Sequence, residues 1–171
     1  MTAKLKMSEA VKNTLEEERE LLELYNEIIK KFNVDEIDKL VLAYQEEVKA
    51  SKGQLTNDRI RHYMGMFSFY SYALNANLGK QALRSNIAEL LEEEKSSRAY
   101  LNMGGADDRK YTREERQARA KLESLDEAKT KILFESIKRG VESRVWSLNR
   151  LIDTLGTLSA INMSEAKLGG K

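Results

Sequence analysis

The sequence contains no cysteine and no proline, and it has one histidine and one tryptophan. Without cysteine there is no disulfide framework, thiolate metal site or cysteine nucleophile, and a cytoplasmic setting is expected. Without proline the commonest helix breaker is missing, and a chain rich in Glu, Lys, Leu, Ala and Arg favours helix almost throughout. With His62 alone, the paired carboxylate-and-histidine motifs of helical di-metal sites cannot be assembled, so neither metal nor cofactor is expected. There is no Gly-x-Ser-x-Gly elbow for a nucleophilic serine. Acidic residues follow Gly104-Gly105, where a phosphate loop would place glycine, lysine and a hydroxyl residue. Glu16-Glu17-Glu18 and Glu92-Glu93-Glu94 read as solvated faces, because adjacent residues on a helix do not face one site. These absences argue against an enzyme. Met1 to Lys6 lack the apolar centre of a secretory signal, and no run approaches the roughly 20 apolar residues of a membrane span.

What the sequence does contain is helical periodicity. Its 171 residues, 41% apolar and 33% charged, can bury one core under a solvated surface. An all-α fold is predicted, a helical hairpin followed by long amphipathic helices with coiled-coil-like packing. Residues 1–52 form the acidic hairpin, with Ser8 as the first cap. Asn33 and Glu36 form a capping-box pattern between its two helices. Residues 53–162 form the core, interrupted by a loop at 102–110 around Gly104-Gly105, and 163–171 form a loose tail. Tyr63, Phe67, Tyr70 and Leu74 share one helical face, and five large rings so close on one helix, Tyr63, Phe67, Phe69, Tyr70 and Tyr72, favour burial in a core or an oligomer interface over base stacking. Further on, Leu83, Ile87, Leu90 and Leu91 make a narrower stripe, compatible with one long helix or with two meeting near Asn75, Asn77 and Gly79. Thr112 with Glu115, and Ser124 with Glu127, are two more capping-box patterns. After them Phe134, Val141, Leu148 and Leu155 recur every seven residues, with Ile152 beside them. This is the pattern of a helix packed against a partner from the same chain or another, and it nominates these five residues as an oligomer interface.

Charge is uneven. The first 52 residues carry −3 and the remainder +4. Between Arg109 and Lys121 six basic residues face two acidic ones, with Arg109, Lys110, Arg113, Arg116 and Arg119 along the segment. Such a strip can neutralise successive phosphates while Tyr100 or Tyr111 stacks on a base. It can equally be an exposed helix that pairs its arginines with Glu114, Glu115 and Glu123. Lys95 and Arg98 join the same surface if the loop folds the two helices together.

Residues 80–161 resemble the UvsY family of phage recombination mediators. The similar elements are Lys95-Ser96-Ser97-Arg98-Ala99-Tyr100-Leu101, a glycine-and-aspartate break, Lys121-Leu122-Glu123-Ser124-Leu125-Asp126, and a helix ending Leu148-Asn149-Arg150-Leu151-Ile152-Asp153-Thr154-Leu155. The resemblance implies a non-enzymatic, oligomeric protein that binds single-stranded DNA by its backbone. Such a protein helps a recombinase displace the single-strand-binding protein, with DNA contacts falling on Lys95 and Arg98. The competing reading is a helical protein-interaction module, a phage factor acting on a host protein or a virion scaffold component, without nucleic-acid binding.

Overall fold

The structure, a computed structural model, describes the backbone of residues 9–105 and 111–168 and the side chains of residues 16–103 and 111–167. Among them are five helices and no strand: α1 (Glu9–Lys30), α2 (Val34–Ala50), α3 (Asn57–Gly105), α4 (Arg113–Glu123) and α5 (Leu125–Leu168). The all-α class is as the sequence predicts. The 49 residues of α3 form one uninterrupted helix, roughly 73 Å long at 1.5 Å per residue. Asn77 donates its side-chain amide to the Ala73 carbonyl, 2.9 Å away on the same helix, and so does not end it. The helix takes in Asn102 to Gly105, and the rest of the expected loop, 106–110, lies outside the described residues, as does Ser8. In the expected tail, α5 continues through Leu168.

Helices α3 and α5 are antiparallel along their length. Asn162 reaches the Leu55 carbonyl, Ser71 bonds Asn149, Lys131 pairs with Glu89 and Glu92, and Lys95 pairs with Glu127. The heptad residues Val141, Leu148 and Leu155 are fully buried, while Phe134 and Ile152 pack against the core from its edge. The partner required by the heptad is therefore α3 of the same chain, and these five side chains are spent on the intramolecular core. Phe67, Leu74, Ile60 and Tyr63 fill the opposite side of that seam.

The first two helices do not fold back on each other. Glu17 pairs with Lys129, Tyr25 and Ile29 approach Gly140, Asp38 pairs with Arg144, and Glu47 meets Arg59 near the start of α3. Thus α1 and then α2 follow α5 in its own direction, end to end with a bend, and form a third layer. The bend centres on Asn33, which adopts a left-handed conformation (φ 55°) and makes no side-chain cap. A left-handed residue redirects the chain between helices without a long loop. Glu36, expected in a capping box, instead accepts a hydrogen bond from Tyr70 at 3.1 Å. Gly140 allows α1 to sit close, since a Cβ there would lie 2.7 Å from the Tyr25 hydroxyl.

The other caps divide. Thr112 and Glu115 make both bonds of the capping box and fix the start of α4. Ser124 is buried, donates to the Lys121 carbonyl at 3.3 Å, and marks a one-residue break between α4 and α5. Its expected partner Glu127 is held by Lys95. Both bends have the same result: the chain forms three long layers, and the short α4 lies alongside the end of α3.

Candidate nucleic-acid interface

At that end, α3 and α4 enclose a groove of about 650 Å³, lined by Ser96, Ser97, Tyr100 and Leu101 from α3 and by Arg113, Gln117, Ala120 and Lys121 from α4. Helical spacing assembles it. Residues three, four and seven apart share a face, so Arg113, Gln117 and Ala120 line one wall while Ser96, Ser97 and Tyr100, Leu101 line the other. The buried Ala99 and Ala120 have small side chains, which lets the two helices approach closely beneath the groove. Two cations, a phenol ring, two hydroxyls and an amide face the opening. None of the described residues lining it is acidic. Neither Arg113 nor Lys121 forms an ion pair among the described residues.

Three other grooves differ on this point. Glu17 and Glu18 line the cleft between α1 and α5, Glu94 and Glu127 line the notch beside Lys95, and Glu89, Glu135 and Glu142 line the depression near Arg139.

The basic residues nominated by the sequence are divided by the fold. Arg113 lies in the groove. Arg116 is half-buried, with its guanidinium 6.0 Å from the centre of the Tyr100 ring, and Arg119 stacks on Tyr111 at 4.0 Å. Both arginines thus sit on the aromatic rings that the sequence suggested for base stacking, a favourable cation–π arrangement. Lys95 and Arg98 line the separate notch with Leu91, Glu94 and Glu127, and each is already paired. Lys95 meets Glu127 at 2.7 Å and Arg98 meets Glu94 at 2.6 Å. The Glu127 bond raises the pKa of Lys95, and Lys95 in turn lowers that of Glu127, as expected for a formed ion pair. Arg109 and Lys110 lie outside the described residues.

Several cations on α5 are occupied as well. Lys129 pairs with Glu17, Lys131 with Glu89 and Glu92, Lys138 with Glu142, and Arg139 with Glu135. Sequence reasoning placed Lys121 in the basic segment but did not pick it out, and it missed Ser96, Ser97 and Gln117 as lining residues. A helical projection of α4 on Ala120 would have found the α4 wall. His62 is exposed, its ring edge-on to Tyr63 with centroids 5.4 Å apart. Among the described residues no group of three His, Asp or Glu side chains could hold a metal ion, and no helix is long and apolar enough to cross a membrane. A scan of protein-family models, a search of curated proteins and a search of solved structures each find no match to this chain.

Proposed function

We propose that this protein is a non-enzymatic single-stranded-DNA binder that holds the phosphate backbone in the α3–α4 groove, in the manner of a recombination mediator assisting a recombinase. The observation that carries the reading is a groove that combines Arg113 and Lys121 with an aromatic ring, and no carboxylate among its described lining residues. Unpaired cations favour phosphate, hydroxyls and an amide can bond its oxygens, and Tyr100 offers a face for stacking. The groove volume lies within the range of sites that enclose a small ligand or one unit of a polymer. The resemblance of residues 80–161 to the UvsY family supports the same class of partner, with the charged contacts moved from Lys95 and Arg98 on α3 to Arg113 and Lys121 on the α4 wall of the neighbouring groove. Nothing in the groove reads base edges in register, so binding is expected to be indifferent to sequence.

The test is binding of a labelled oligothymidine to wild type, Tyr100→Phe and Tyr100→Leu. Stacking on one base contributes roughly 1–3 kcal/mol, so Tyr100→Leu should weaken binding at least about fivefold while Tyr100→Phe retains it. Equal affinity for all three would remove Tyr100 from the site, and absence of binding by wild type would overturn the reading in favour of a protein-interaction module.

A further inference from the structure

The outer half of α3 is inverted with respect to an ordinary amphipathic helix. Its inward positions are small or polar, with Gln81, Ser85 and Ala88 buried against α5. Its large apolar side chains point the other way: Leu83, Ile87, Leu90 and Leu91 are exposed at 60%, 47%, 64% and 51%. Phe69 and Tyr72 extend the same outward stripe toward the start of the helix, also largely exposed. Leu83 and Leu90 are one heptad apart with Ile87 between them, which is the spacing of a coiled-coil seam. None of the described residues of the other helices covers this stripe, and a contiguous apolar patch of this kind marks an interface.

We infer that a second copy of this chain packs antiparallel on the outward stripe of α3, with the two-fold axis beside Ile87. The charges select both the occupant and the direction. Lys80 and Glu94 lie on the stripe seven residues to either side of Ile87, and Leu83 and Leu91 lie four residues to either side. Rotation about that axis sets Lys80 of each copy against Glu94 of the other and Leu83 against Leu91. A parallel copy would set Lys80 against Lys80 and Glu94 against Glu94, an unfavourable juxtaposition in a seam. Lys80 forms no ion pair among the described residues, and Glu94 has Arg98 on its own helix, which leaves a carboxylate oxygen for a second cation. Aligned over residues 72–102, two copies pair about 45 Å of helix. That length can bury the roughly 800 Å² per partner of a stable interface.

The absence of cysteine makes the register directly testable in the full chain. Wild type should have the mass of a dimer by light scattering at micromolar concentration. Ile87→Cys should form a disulfide-linked dimer under mild oxidation, because the axis brings the two residues 87 together. Leu83→Asp with Leu90→Asp should give a monomer with undiminished helical circular dichroism, since both positions are exposed within the protomer. Lys80→Glu should weaken the dimer roughly tenfold, and adding Glu94→Lys should restore it, a rescue that parallel pairing cannot give. A monomeric wild type would assign the stripe to a different protein and overturn the inference. So would a dimer that survives the double aspartate variant, or an Ile87→Cys protein that resists cross-linking.

Discussion

Glu47 shows how a single side chain fastens α2 to α3. Its carboxylate accepts two bonds from the Arg59 guanidinium and one from the Tyr63 hydroxyl at 2.7 Å, and Tyr63 is itself packed edge-on to Tyr44. The Arg59 bonds, with Tyr63 in support, lower the Glu47 pKa from 4.5 to about 2. A depressed carboxylate pKa contributes stability that is complete above the ordinary value and is lost as pH falls toward the folded one. The urea midpoint of wild type should therefore drop further than that of Glu47→Gln as pH is lowered from about 4.5 toward about 2, the window set by that shift. Parallel decline of the two proteins would show that Glu47 contributes nothing specific. Gln81 is the reverse case. Its Oε1 is buried against α5 without a hydrogen-bond partner among the described residues, a situation that costs roughly 1–3 kcal/mol. Gln81→Leu is expected to raise stability by about 1–2 kcal/mol in urea denaturation, and a loss of stability would show that the amide is satisfied.

The helices themselves were largely legible from residue patterns. The 3.6-residue periodicity, the Thr112 capping box and the heptads from Phe134 to Leu155 each correspond to a feature of the structure, because each depends on neighbours within one or two turns. What could not be read locally was the direction in which elements meet. Asn33 looks the same in sequence whether it caps a helix in a hairpin or takes a left-handed conformation that bends one layer. The difference is set by distant residues, Tyr70 withdrawing Glu36 and Arg144 meeting Asp38. A heptad likewise does not say whose helix fills it. Because α3 fills this one, Leu148→Asp should act as a core lesion and not as an oligomer breaker. A charge buried without a partner in the seam should cost several kcal/mol and abolish cooperative thermal unfolding. A folded monomer from that variant would mean that the seam lies between chains. The basic strip was legible as composition, but its division was not. Arg116 and Arg119 turn onto Tyr100 and Tyr111, and only Arg113 of the described nominated residues enters the groove.

Across the whole molecule, ion pairs join the layers, and among the described residues Arg113 and Lys121 meet no carboxylate where they line the α3–α4 groove. Ion pairs link α5 to α1, α2 and α3 through Lys129, Arg144 and Lys131. These pairs are partly exposed and contribute little stability individually. What distinguishes Arg113 and Lys121 is that they share a groove whose described lining includes Tyr100 and no carboxylate, the feature on which the proposed phosphate site rests. The most direct measurement is the salt dependence of oligothymidine binding by wild type and by the Arg113→Ala, Lys121→Ala double variant. Each phosphate contacted on a single strand contributes about −0.7 to the slope of log affinity against log salt. Removal of two contacts should flatten the slope by about 1.4 while helical content is unchanged, since alanine favours helix at both positions. A double variant that binds with the wild-type slope would contradict the assignment of the α3–α4 groove as the DNA site.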